Sequence, residues 1–215
     1  MRHALAALAL PAVLGLAACA VPEASEAGAA PAADSAEGGI PSDAGVLTVA
    51  GGCFWCVESD FEAVDGVYEV VSGYAGGTSA NPTYKSHVAE GHREVARIYY
   101  DEGVQDYEGL VRLFLRSVDV TDAGGQFCDR GYSYTTAVFY ETDEERAAAA
   151  RAVAAAEAEI GQRVVTAVEP EAPFTPAEDY HQDYYEKNPV RYGYYRRACR
   201  RDAQVAKVWG EAFHD

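Results

Sequence analysis

The chain has 215 residues, with 34 Asp and Glu against 17 Lys and Arg, for a net charge of −17. That length suits one domain of ordinary size behind a leader, with enough chain for a real core. So acidic a balance repels phosphate backbones and offers no polybasic attraction to anionic lipid, which argues against nucleic acid as a partner and against charge-driven membrane binding.

The first elements in chain order are an address and a spacer. Arg2 and His3 precede the apolar run "ALAALALPAVLGLAA", so residues 1–18 are expected to be a signal peptide. Pro11 and the short run argue against a membrane span, which needs about 20 apolar residues. "LAAC", Leu16 to Cys19, resembles a bacterial lipoprotein box, and Cys19 is the expected lipidation site. Val21 to Gly45 holds five acids, no base and little beyond Ala, Gly, Pro and Ser. Residues 19–45 are therefore expected to form a lipidated, disordered tether, with about 25 flexible residues spanning roughly 25–30 Å. The expected location is outside the cytosol, as a membrane-anchored lipoprotein on the periplasmic or extracellular side.

The folded domain is expected over residues 46–215. "VLTVA" predicts a strand broken by Gly51 and Gly52, and Val57, Phe61 and Val64 then line one face of a helix that Gly66 ends. "VYEVVSGYAGG" predicts a strand closing in a glycine turn, "NPTYKSHVAEGH" a loop, and "REVARIYYD" a second strand carrying Val95, Ile98 and Tyr100. "YEGLVRLFLRSV" predicts an amphipathic helix with Leu110, Phe114 and Val118 inward, and "YTTAVFY" another strand. The next helix, "TDEERAAAARAVAAAEAEI", has Thr142 as its cap and Gly161 behind it, and "RVVTAVEP" is expected to be the last strand. The Tyr-rich and charged remainder predicts short helices and coil wrapped on the domain. Strands interleaved with helices indicate a mixed α/β sandwich.

The five cysteines are Cys19, Cys53, Cys56, Cys128 and Cys199. With Cys19 assigned to lipid, four remain and three pairings are open. An exported domain ordinarily locks such thiols in structural disulfides. Locally, however, Gly51 and Gly52 feed a helix at Cys53, where free amides and the helix dipole favour a thiolate. Cys53 is thus expected to be the better nucleophile, with Cys56 one turn inside and less stabilised. Thiol–disulfide exchange uses a Cys-x-x-Cys at such a corner, but here Phe54 and Trp55 occupy positions where smaller residues would suit bulky substrates. A zinc site would lack its second half. The third reading is a nucleophile beside an apolar slot.

"GCFW", "SGYAGG", "NPTY", "GHREVARIYYD", "QFCDRGYSYTTAVFY" and "AEDYHQDY" occur in that order between about Leu47 and Trp209. Together they resemble the A-type peptide-methionine sulfoxide reductases. The resemblance implies an α/β (α+β) two-layer sandwich, a ferredoxin-like plait whose mixed sheet carries flanking helices and a long coiled C-terminal segment. It also implies thiol-dependent reduction of the S-epimer of methionine sulfoxide, free or in oxidised proteins. Such a reaction needs a thiolate to attack sulfur, an acid to protonate the departing oxygen, and a pocket for the methyl group. The resemblance implies Cys53 for the first, Glu94 for the second, and Phe54 and Trp55 for the third. It implies Tyr84 and Tyr134 as donors to the sulfoxide oxygen and Asp129 as the residue completing the polar pocket.

One position departs from the commonest family pattern, which has Gly where Cys56 stands. Cys56 and Cys199, the latter on a C-terminal arm, are both candidates to resolve a sulfenic acid on Cys53, singly or in relay. Cys128 is expected to be a small buried residue, and His87, His92 and His181 to be structural. No metal, flavin or nucleotide is implied; electrons are expected from a thioredoxin-like donor to a monomeric enzyme. The alternative is a membrane-tethered thiol–disulfide oxidoreductase using the Cys53/Cys56 pair.

Overall fold

The computed structural model describes residues 39–211 and 213; the signal peptide, Cys19 and the tether up to residue 38 lie outside the described residues. The chain enters as β1 (Gly45–Ala50), turns into α1 (Phe54–Phe61) and returns as β2 (Val67–Ala75). A run of turns leads to β3 (Arg93–Tyr100) and α2 (Tyr107–Arg116). A two-residue hairpin, β4 (Gly125–Gln126) and β5 (Asp129–Arg130), and a tight turn over Tyr132–Tyr134 precede β6 (Ala137–Tyr140). Then come α3 (Asp143–Ile160), β7 (Ala167–Pro170), β8 (Phe174–Pro176), α4 (Tyr184–Lys187), α5 (Pro189–Ala198) and α6 (Arg201–Trp209).

The sheet order is β7-β6-β1-β3-β2-β8. Its central strands β6, β1, β3 and β2 are antiparallel, with α1 and α2 as the crossovers, which is the ferredoxin-like plait. β7 joins β6 in parallel and makes the sheet mixed. Side-chain alternation along the strands splits the two faces. Leu47, Ala96, Ile98 and Val138 join Phe61, Leu110, Phe114 and Ala152 in one core under the helices. Ala50, Val95, Ala137 and Phe139 form a smaller cluster on the opposite face. Arg93 and Arg97 also project from β3 there and pair with Glu169 and Glu171.

Local signals explain the boundaries. α3 begins in a reciprocal capping box between Thr142 and Glu145 and ends at Gly161 in the left-handed region (φ 65°). Such a cap contributes about 1 kcal/mol. α1 stops at Phe61, sooner than the apolar spacing predicts, and Val64 sits in the following turn while still touching the core. β8 follows β7, so "RVVTAVEP" is not the last strand; three residues on the sheet edge carry no periodicity of their own. The C-terminal segment is helical over much of its length. It is fastened by Arg201, which is fully buried and donates to the carbonyls of Gly51 (3.2 Å) and Ser117 (2.9 Å). Among the described residues no helix is long and apolar enough to cross a membrane.

Candidate active site

The strand-to-helix corner is tight. Gly52 has φ 80°, and a Cβ there would meet Gln126 at 2.5 Å; one on Gly51 would meet Val57 at 2.6 Å. Glycine at both positions lets the chain turn directly into α1 with Cys53 as its N-cap. Cys53 is 7% exposed and lines a small cleft. The lining brings together every substrate-handling residue expected from the sequence: Cys53, Phe54, Trp55, Tyr84, Glu94, Asp129 and Tyr134.

Glu94 reaches the cleft because β3 pairs it with Tyr74 on β2, facing the helix layer. It is 3% exposed, and its Oε2 accepts the Phe54 N–H at 3.1 Å. Burial pushes its carboxyl up to about 8, with the Asp129 charge adding to the effect, so Glu94 is largely protonated at neutral pH. The phenols of Tyr84 and Tyr134 are held above their usual range by burial and by Glu94, and both remain hydrogen-bond donors.

The aromatic wall is closely packed. Phe54 is buried against Tyr74 (centroids 5.8 Å) and His181 (5.1 Å). Trp55 stacks on Tyr184 at 3.8 Å and donates its indole N–H to His181 Nδ1 at 3.1 Å. His181 therefore serves the wall, and His92 accepts the Gly77 N–H in the preceding loop.

Three findings depart from the sequence expectations. Burial pushes the Cys53 thiol up, Cys56 and the Glu94 and Asp129 charges adding to it. The first amide of α1 is already given to Glu94, so helix position alone does not hold a thiolate on Cys53. Cys56 is instead the lowered member of the pair, because it accepts a hydrogen bond from Cys53 and lies near Arg201 and Arg196. Cys128 is not a small buried residue but forms a disulfide with Cys199, Cα atoms 5.1 Å apart. Phe127, at φ 53°, lays its ring under the Arg201 guanidinium and turns Cys128 outward. Cys199 is thus engaged here, while Cys53 and Cys56 are free.

The sequence reading misses Tyr195, which lines the cleft and donates its hydroxyl to Asp129 Oδ2. With 15 tyrosines in the chain, nothing in the sequence marks it out. Glu58, Glu62 and Asp183 place ligand-type oxygens within 4.8 Å of one another. Each has a donor already: the Asp183 N–H to Glu58, the Tyr185 hydroxyl to Glu62, and Lys187 to Asp183. They staple the start of α4 to α1.

The family model described as peptide methionine sulfoxide reductase matches residues 45–213. A relative from Rhizobium meliloti, peptide methionine sulfoxide reductase MsrA 2, is 54% identical over 162 residues, covering 75% of this chain and 82% of its own. The MsrA of Bacillus licheniformis is 42% identical over 178 residues, covering 79% and 96%. Methionine sulfoxide reductase A of Corynebacterium diphtheriae has a similar structure, with a TM-score of 0.66 at 26% identity over 70% of this chain and 77% of that one. Mxr1 from Saccharomyces cerevisiae in reduced form gives 0.65 at 30% identity, covering 70% and 88%. Since the match runs through the whole described domain and the cleft lies within it, the chain belongs to the peptide methionine sulfoxide reductase family and is an oxidoreductase that reduces methionine sulfoxide.

Proposed function

We propose that the enzyme reduces the S-epimer of methionine sulfoxide, free or in oxidised proteins, by thiol attack from Cys53, a proton from Glu94 and disulfide closure by Cys56. The observation that carries this reading is an acid kept uncharged near neutral pH in the same small cleft as a buried free thiol. The substrate methyl lies against Phe54 and Trp55, and its oxygen takes hydrogen bonds from Tyr84 and Tyr134. As Cys53 sulfur attacks the sulfoxide sulfur, Glu94 protonates the oxygen and the Cys53 thiol proton returns to Glu94. The hydroxyl then passes from the methionine sulfur to the Cys53 sulfur as the transient S–S bond breaks, so that methionine leaves and Cys53 carries the oxygen as a sulfenic acid. Cys56 then attacks that sulfur, releasing water and closing a Cys53–Cys56 disulfide. Because Cys199 is bonded to Cys128, Cys56 is the first resolving thiol. A thioredoxin-like dithiol restores the pair, directly or by way of Cys128 and Cys199.

The leader supports a further element of the reading: Cys19 carries lipid, and residues 19–45 tether the enzyme to a membrane outside the cytosol. Palmitate labelling in a bacterial host marks the full chain and not Cys19→Ala on this account; equal labelling would remove the anchor.

Activity is tested with the separated epimers of dabsyl-methionine sulfoxide and dithiothreitol. The S-epimer is consumed by the native protein and not by Cys53→Ser. Faster reduction of insulin disulfides than of either epimer would favour a thiol–disulfide oxidoreductase instead.

A further inference from the structure

Most of the polar groups around the cleft have a partner, but His87 does not use both of its ring nitrogens. It sits in the turns after Tyr84, 1% exposed, stacked on Tyr74 at 5.0 Å between centroids. Its Nδ1 lies 2.9 Å from the Tyr84 carbonyl. A carbonyl only accepts, so Nδ1 carries the ring proton and Nε2 of the neutral ring is a bare lone pair. That Nε2 is buried with no hydrogen-bond partner and faces Glu94 Oε1 at 3.7 Å. The other carboxyl oxygen, Oε2, is taken by the Phe54 N–H. One oxygen of Glu94 is therefore held as an acceptor, and an unsatisfied acceptor waits beside the other.

We propose that His87 is the positioning residue of the proton donor: its Nε2, aimed by the Nδ1–H bond to the Tyr84 carbonyl, holds the carboxyl proton of Glu94 on Oε1. The inference deepens the proposed function above and rests on it, since it assigns the acid's proton to one named oxygen. At 3.7 Å the contact is open, and it closes to hydrogen-bonding length with a movement of about 1 Å. Contacts of this kind tighten when substrate fills the site. The proton stays with Glu94 rather than His87 because burial lowers the imidazole and raises the carboxyl. The other titratable groups facing the ring act more weakly. Glu178 favours an imidazolium, while His92 and His181 oppose one. The Tyr74, Tyr84 and Tyr134 rings enclose it. During turnover the proton passes from Oε1 to the sulfoxide oxygen and is replaced from Cys53. His87 neither gains nor loses a proton over the cycle.

The sequence cannot show this, because a histidine in a loop motif does not reveal which way its ring faces. His87 is also absent from the cleft lining, so a positioning role predicts an effect on the chemical step and not on substrate binding.

The experiment is single-turnover reduction of dabsyl-methionine sulfoxide by the reduced enzyme across pH, with His87→Asn and His87→Gln. Asn keeps a donor for the Tyr84 carbonyl but has nothing opposite Oε1; Gln places an amide oxygen near the Nε2 position. We expect His87→Asn to lose about tenfold in rate near pH 7 with KM unchanged. Its basic limb should move about one pH unit lower, because the protonated carboxyl has lost its acceptor. His87→Gln should recover most of both. Equal losses in the two variants, or an unmoved limb in His87→Asn, would overturn the proposal. Independently of any variant, the 15N spectrum of the native ring must show the Nδ1–H tautomer, and an Nε2–H tautomer would refute it. Failure of the native enzyme to reduce sulfoxide, or undiminished activity in Glu94→Gln, would sink the functional reading itself and so is separable from failure at His87.

Discussion

Glu94 and Cys53 sit within one cleft and burial raises both groups, while the proposed reaction needs only one of them to stay protonated. In the proposed reaction the working form of Glu94 is the acid. With its carboxyl at about 8, that form dominates below this pH and is lost above it. The single-turnover rate should therefore fall through a basic limb near pH 8, and Glu94→Gln should cost on the order of 10²–10⁴-fold at pH 7. Rapid-quench kinetics over pH 5–10 checks both. The identities of these residues are legible because they stand in ordered motifs. Their ionisation is not, because it depends on which amide reaches which carboxylate. The Phe54 N–H bonding to Glu94 across 40 positions removes the helix-start argument for a Cys53 thiolate.

α1 is the element on which the site depends, and it is held from below by charge. Asp60, wholly buried on its inner face, pairs with Arg196 at 2.6 Å and lies 3.6 Å from Arg201. Removing the carboxylate would leave the buried Arg201 guanidinium short of its counter-ion and Arg196 with Asp202 alone, so Asp60→Ala should destabilise the fold by about 3–5 kcal/mol in urea melts. Glu58, on the same helix, is also raised to about 8, chiefly by burial. Its folded value lies above the unfolded one, so its stabilising contribution is complete below about 4.5 and is lost as pH rises toward 8. Glu58→Gln should accordingly flatten the decline of Tm between pH 5 and 8.5; an unchanged slope would refute this assignment. Helix positions are the most legible part of the sequence, because Leu110, Phe114 and the capped alanine run of α3 repeat at helical spacing. The short strands β4, β5 and β8 are not, because two or three residues become a strand only through their partners.

At the scale of the molecule, the C-terminal segment closes the fold around the Gly51–Cys53 corner. Cys199 bonds Cys128 across 71 residues, Tyr195 reaches Asp129, and Arg201 reaches the carbonyl of Gly51. The disulfide should contribute about 2–4 kcal/mol. Cys128→Ser should lower Tm under oxidising conditions only, while leaving the first turnover intact because Cys53 and Cys56 remain. Calorimetry with and without reductant distinguishes this from a simple packing loss. The Cys128–Cys199 pairing is beyond reach of the sequence, in which four thiols allow three arrangements and a motif context makes Cys128 look buried. The family fold, by contrast, is readable from six motifs in order.

The central claim is that Cys53 takes the oxygen and Cys56 removes it. Its most direct test is to treat Cys56→Ser, with Cys128–Cys199 left oxidised, with one equivalent of methionine sulfoxide and then dimedone, and to map the adduct by mass spectrometry. The account predicts one methionine released per chain and one dimedone adduct, on Cys53. Methionine release without an adduct on Cys53, or an adduct on another residue, would contradict it.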